Sequence, residues 1–164
     1  MTQQFNSLAA FASHLMKLEV TEAIALHHGL EVVAARVEKD AKDEIGHYQQ
    51  AAGAFPAWQQ LADSTEKEKA RLGYPQDAPL LRTGNLRDSI SHEVGALEAV
   101  VGSPDEVLVY QEIGTQHIPP RPVLGPALYH NQKMVQKVLG AALASGLLGH
   151  QKIKPNLGYD YEID

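Results

Sequence analysis

Cysteine is absent from this chain of 164 residues, and phenylalanine, tyrosine and tryptophan together supply only 6% of it. Without a thiol, the chain forms no disulfide bond, no thiolate nucleophile and no cysteine-ligated zinc site. Long apolar runs are missing too, and none reaches the roughly 18 residues that predict a transmembrane helix. We therefore expect no membrane partner.

Positive charge is scarce as well. Lysine and arginine contribute 14 residues against 20 aspartates and glutamates, which gives a formal net charge of -6. The basic residues are scattered along the sequence, whereas a protein that grips DNA usually collects them in a patch. We expect DNA to pass close to this protein at most, without being bound specifically.

Three segments have apolar residues at the three- and four-residue spacing of an amphipathic helix. They are residues 7–17, residues 19–50 and a segment that begins at Pro126. Gly29 interrupts the second segment and Gly146 loosens the end of the third, because glycine weakens a helix. The sequence therefore predicts a long N-terminal helix with a weak point and a long C-terminal helix.

Two capping boxes mark the starts of shorter helices in the middle of the chain. Asp63 is followed three residues later by Glu66, and Ser103 is followed by Glu106. Each pair has an N-cap residue and an acidic partner at the spacing of that motif. Gly114 is expected to end the second of these helices.

Two short strands, residues 90–94 and 99–101, are predicted to form a hairpin. The elements together predict an α+β fold, in which the long N-terminal and C-terminal helices pack on a small antiparallel sheet. We expect residues 1–149 to form a single domain, since that length is enough for one hydrophobic core. Residues 150–164 are expected to leave this domain as an extended C-terminal arm.

The expected arm has an alternating pattern. Leu157, Tyr159, Tyr161 and Ile163 alternate with glycine and acidic residues, which is the period of a strand with one apolar and one acidic face. A lone strand is not stable in water. We therefore predict that the arm is donated to a sheet edge on a neighbouring subunit or an adjoining ring. An unstructured terminus is the alternative.

Histidine and glutamate pairs at helical spacing raise the possibility of a metal site. His27 and His28 precede Glu31, and Glu44 precedes His47 as in the Glu-x-x-His motif of di-iron bundles. A small soluble enzyme with a His/Glu metal site on the long N-terminal helix is therefore the alternative function. Solvated helix faces explain the same residues. The chain lacks a glycine-rich phosphate loop and a Gly-x-Ser-x-Gly motif, so we expect no catalytic residue and no cofactor.

Three blocks of sequence follow one another between residues 45 and 128. The first reads FPAWQQLADST (residues 55–65), the second reads LLRTGNLRDSI (residues 80–90), and the third (residues 101–128) contains YQEIGT and PPRPVLGPAL. In this order and spacing they resemble the bacteriophage virion-morphogenesis, or tail-completion, family, whose members join heads to tails. Val123 departs from the family pattern, in which an aromatic residue is commoner at that position.

The resemblance implies a structural protein of the virion and not an enzyme. Such a protein forms a homo-oligomeric, hexameric ring in the neck, contacts other neck and tail proteins, lets DNA pass, and is assembled in the host cytoplasm. An accessory factor that leaves before maturation is a further possibility. The residues that carry the resemblance, and form the predicted interface, are Trp58, Leu81, Thr83, Gly84, Leu86, Ser89, Ile90, Gly102, Ser103, Tyr110, Glu112, Gly114, Thr115, Pro119, Pro120, Arg121 and Pro122.

The third block also has a physical interpretation of its own. Three of the four residues 119–122 are proline, which makes this segment a stiff connector. It either supports the fold or forms a docking surface, in which Arg121 would reach a carboxylate on a partner. The sequence leaves both interpretations open.

Overall fold

The computed structural model describes residues 6–149. Its elements are α1 (Leu8–Glu44), α2 (Asp63–Arg71), α3 (Asn85–Asp88), β1 (Ser91–Val94), β2 (Ala99–Gly102), α4 (Glu106–Ile113) and α5 (Leu124–Leu147). This order confirms the predicted α+β class, with long first and last helices and a small antiparallel sheet. The predicted C-terminal arm, with Leu157, Tyr159, Tyr161 and Ile163, lies outside the described residues.

The first helix differs from the prediction in both its continuity and its end. α1 is one helix of 37 residues, so the predicted break after residue 17 is wrong. Lys17, Leu18 and Glu19 are all good helix formers, and nothing at that point stops the helix. The predicted end near residue 50 is also wrong. The N–H of Gly46, which has φ +100, donates to Pro79 O at 2.9 Å instead of continuing the helical ladder.

The chain divides into two compact units, which are described separately. Among the described residues, unit 1 contains 6–33, 94–99 and 133–149, and unit 2 contains Ala34–Glu93 and Val100–Gln132. Whether they behave as the single expected domain stays a prediction.

Glycines permit close packing of α1 against α5 within unit 1. A Cβ at Gly29 would lie 3.0 Å from Ala142 Cβ, and a Cβ at Gly146 would lie 2.5 Å from Glu22 Cα. The two contacts pair rising numbers in α1 with falling numbers in α5, so the helices run antiparallel. α1 continues through Gly29, so the predicted interruption at that residue is wrong. Gly29 and Gly146 are points where the two helices approach closely.

The first turns of α1 contain a large group of exposed apolar side chains. Leu8 is 83% exposed and Met16 is 66% exposed. The exposed apolar side chains of this region are Leu8, Phe11, Leu15, Met16, Val20 and Ile24, and we call them the α1 apolar stripe. Their spacing continues the helical period that the sequence predicted, without the expected burial.

The predicted hairpin is confirmed to within one residue at each strand. β1 and β2 pair as neighbours, and the N–H of Gly95 donates to Glu98 O at 2.8 Å across the turn. His27 Nδ1 lies 2.8 Å from Gly95 O, so this histidine contacts the turn.

Unit 2 has a core of small and medium apolar residues around one indole ring. Trp58 is buried, and its Nε1–H donates to Pro122 O at 3.1 Å. The other buried apolar residues of this unit are Ala34, Val37, Ala41, Ile45, Ala52, Ala78, Ile90, Leu108, Val123 and Ala127.

The N-termini of three helices in unit 2 differ from those predicted. Ala62 is the N-cap of α2, and Asp63 is already in the first turn, where its charge still favours the helix N-terminus. Asp105 caps α4 by accepting from Val107 N at 2.9 Å, because Ser103 Oγ is engaged with Asp105 N at 3.0 Å. α5 begins at Leu124 instead of Pro126, and proline is tolerated in this first turn.

Candidate functional site

Parts of all three sequence blocks line the same cleft in unit 2, which has a volume of about 670 Å³. The first block supplies residues 59–62 and Thr65, which lie in the loop before α2 and in its first turn. The second supplies residues 80–86, which lead into α3. The third supplies Asp105, Val107 and Gln111 around α4, together with residues 117–119 and Arg121 from the proline connector. Segments that are far apart in sequence therefore form one surface.

The predicted interface residues fall into three groups. Six of them line the cleft, namely Leu81, Thr83, Gly84, Leu86, Pro119 and Arg121. Others are structural: Trp58, Ile90 and Pro122 are buried, Gly102 ends β2, Ser89 Oγ and Ser103 Oγ share a hydrogen bond of 2.6 Å, and Gly114 and Thr115 form the turn after α4. Tyr110 and Pro120 are exposed, and Glu112 is bound to the start of α5.

The proline connector, residues 119–122, is fixed to the elements on either side of it. Glu112 Oε1 accepts from the N–H of Val123 at 2.8 Å and from that of Leu124 at 2.6 Å, which satisfies free amides at the start of α5. The N–H of Arg121 donates to Gln111 O at 2.6 Å. These bonds favour the interpretation that the connector supports the fold.

Arg121 points into unit 2. Its side chain is only 6% exposed, and Nη2 donates to Gln59 O at 3.1 Å and to Gln60 O at 3.5 Å. Its Nε is buried and has no acceptor within residues 6–149. Burial lowers the pKa of this guanidinium from its ordinary value. The expectation that Arg121 extends to a partner's carboxylate is therefore corrected: a partner group would have to enter the cleft to approach it.

Two further cations line the cleft. Lys69 is 3% exposed, and its Nζ donates to Ala78 O at 2.5 Å. Burial, and then the nearby charge of Arg82, lowers the pKa of Lys69. Arg82 is half-exposed, with Nη1 3.6 Å from Glu68 Oε1. Asp105 is the acidic residue of the lining, and its carboxylate already caps α4.

The cleft wall contains one strained residue. Leu80 has φ 63, the left-handed region that a non-glycine residue rarely adopts. Hydrogen bonds hold the residues just before it, from Lys69 to Ala78 O and from Gly46 to Pro79 O. Backbone strain of this kind costs on the order of 1–3 kcal/mol and tends to occur at functional sites.

Sequence reasoning missed the cationic lining of this cleft. Lys69, Arg82 and Arg121 lie in three separate parts of the sequence, so their charges look scattered along the chain. The group is recognised only by the burial of Lys69 and Arg121, because a lysine or arginine is rarely buried. A search for basic runs therefore gives no signal for this cleft.

The metal hypothesis receives no support from the positions of its residues. Within the described part of the chain, no three histidine, aspartate or glutamate side chains form a group that could hold a metal ion. Glu44 is buried, whereas His47, its partner in the Glu-x-x-His motif, is exposed. Among residues 6–149, moreover, no helix is both long enough and apolar enough to cross a membrane.

Glu44 is the most perturbed carboxyl group of unit 2. It is 7% exposed, neither carboxyl oxygen has a hydrogen-bond partner within residues 6–149, and His130 Nδ1 lies 3.8 Å from Oε1. Burial, with smaller contributions from Glu112 and Asp40, raises its pKa to about 8. Glu44 is therefore mostly protonated at neutral pH.

Fold and site together define an α+β protein whose second unit contains a partly apolar, cationic cleft. The chain matches no family model, no curated protein and no solved structure.

Proposed function

We propose that this chain is a structural neck component of a tailed bacteriophage, a tail-completion protein that joins head to tail as a ring. The observation that carries the proposal is the meeting of the three family-like blocks at one cleft. Blocks that resemble one family and also share one surface support a common role in recognition, whereas unrelated likenesses would be dispersed over the fold.

The exposed face of α4 supports the assembly part of this proposal. Val107, Val109, Tyr110 and Ile113 are all large apolar residues that are about half exposed or more. A group of exposed apolar side chains on one short helix is typical of a surface that binds another protein. In a closed ring it would contact a different surface of the next copy, since ring interfaces are head-to-tail.

Mass spectrometry of purified virions tests the proposal. We expect the protein in mature particles of the phage that encodes it, in a small and fixed copy number per tail. We also expect that disruption of its gene leaves filled heads and free tails that do not join, visible by electron microscopy. Infectious particles at normal yield without the protein would contradict the proposal. Stoichiometric iron or zinc in the purified protein would instead support the metalloenzyme alternative.

A further inference from the structure

We propose that the cationic cleft of unit 2 is the docking site for residues 155–164 of a neighbouring copy. This inference rests on the proposed ring, and it names the contact that would link one subunit to the next. It also replaces the sheet edge as the expected receiver of the C-terminal arm.

Charge complementarity is the first argument. The cleft is lined by Lys69, Arg82 and Arg121, of which Lys69 and Arg121 make no ion pair within residues 6–149. Residues 155–164 contain three carboxylates and no lysine or arginine. The sheet edge is less suitable, because Glu93 and Glu98 in the hairpin would repel an acidic strand.

Apolar complementarity is the second argument. Leu81, Leu86 and Ile118 are among the apolar residues that line the cleft beside its cations. An extended segment presents alternate side chains to opposite sides, so Tyr159 and Tyr161 would meet the apolar wall while Asp160 and Glu162 face the half-exposed Arg82. The cleft volume of about 670 Å³ lies within the range of roughly 300–1,000 Å³ that ligand sites have.

The proposed ring makes a neighbouring copy the source of the segment. Fifteen extended residues reach about 50 Å, which is long enough to leave the subunit of origin. A contact between an arm and a cleft joins two different surfaces. Such a heterologous contact repeats from copy to copy and generates a ring if the rotation closes.

The absence of native cysteine allows a direct test with full-length protein. Asn85→Cys places a thiol in the cleft at an exposed position, and Tyr161→Cys places one in the arm. The two single variants are mixed, oxidised mildly and analysed by peptide mass spectrometry. We expect a disulfide between positions 85 and 161, which in this mixture can form only between chains. Ala57→Cys, exposed and outside the cleft lining, is the matched control.

Charge exchange separates specific docking from random collision. Arg82→Glu should lower the yield of the 85–161 disulfide about tenfold, the change that corresponds to roughly 1.4 kcal/mol. Arg71→Glu, the same charge change at an exposed position outside the cleft lining, should leave the yield unchanged. Pairing Arg82→Glu with an arm that carries Asp160→Lys and Glu162→Lys should restore the disulfide. A disulfide yield that changes neither with the charge at position 82 nor with the charges of the arm would overturn the proposal.

The remaining outcomes are equally decisive. A disulfide from Tyr161→Cys to Val100→Cys on β2, in place of position 85, would assign the arm to the sheet edge and overturn the cleft. A disulfide that forms only within one chain carrying both Asn85→Cys and Tyr161→Cys would overturn the neighbouring copy. Neither result would affect the neck function, which is judged by the presence of the protein in virions.

Discussion

At the scale of single residues, buried charge is concentrated in unit 2. Glu44, Lys69 and Arg121 are each less than a tenth exposed. Among residues 6–149, none of the three has an oppositely charged side chain within hydrogen-bond distance. A buried ionised group without a partner opposes folding, and a carboxyl group avoids this cost by keeping its proton. Glu44 therefore makes the stability of the fold depend on pH.

Stability should fall as the pH rises through the range in which Glu44 is protonated only in the folded state. Its pKa is about 8 in the fold and near 4.5 when unfolded, so the folded protein binds more protons between those values. The free energy of unfolding falls by on the order of 1.4 kcal/mol for each unit by which the pKa is displaced, and the decrease ends above pH 8. Glu44→Gln should remove much of this slope in denaturant unfolding measured from pH 5 to 9. Asp43→Asn, at an exposed neighbour, should retain it; equal slopes for wild type and Glu44→Gln would contradict the assignment.

Gly114 occupies a backbone conformation that only glycine adopts readily. Its φ of 74 and ψ of 175 lie in that region, and a Cβ would sit 3.0 Å from Ile118 O. Gly114→Ala should therefore lower the free energy of unfolding by roughly 1–3 kcal/mol in urea titration. Gly102→Ala meets no atom within 4 Å and is the control. A Gly114→Ala protein as stable as the control would show that the turn relaxes without cost.

At the scale of elements, the sequence predicted what depends on local pattern. The hairpin follows from a turn between two short strands and was predicted to within one residue at each strand. The long helices follow from apolar residues at helical spacing, but the break and the end predicted for α1 were wrong. The helix caps were misassigned by one or two residues, because Ala62 precedes α2 without a side-chain capping bond and Asp105, instead of Ser103, caps α4. The roles of Gly29 and Gly146 depend on a second helix, and a local pattern does not contain that information. The same is true of the cleft, whose cations come from α2 and from two connecting segments.

Close packing in unit 1 makes a clear prediction for the last helix. Gly146→Ala places a Cβ about 2.5 Å from Glu22 Cα, so α1 or α5 must shift. Overpacking of this kind typically costs 1–3 kcal/mol, and we expect about that loss in thermal or urea unfolding. Gly140→Ala in the same helix has no atom within 4 Å and should stabilise by up to about 1 kcal/mol through helix propensity. If both variants were stabilised, the two helices would not approach closely at Gly146.

At the scale of the whole molecule, the charge balance argues against DNA as a tightly bound partner. The net charge is -6, and the cations that the cleft does collect are mostly buried, so they cannot follow a phosphate backbone. We expect binding to linear duplex DNA to be weaker than micromolar near physiological salt, by fluorescence anisotropy. Phosphate contacts make affinity fall steeply with salt. Submicromolar binding with a steep salt slope would contradict the expectation that DNA passes unbound.

The α1 apolar stripe has a consequence for the colloidal behaviour of the free subunit. Like-charged subunits at -6 repel one another at low ionic strength, which keeps their uncovered apolar surfaces apart. Salt near 0.15 M shortens the range of that repulsion to about 8 Å, while the apolar attraction persists. Light scattering from purified protein should therefore increase as sodium chloride is added, and Met16→Lys with Val20→Lys should suppress the increase. A dilute, low-salt buffer would then preserve the unassembled subunit, and added salt would start its self-association.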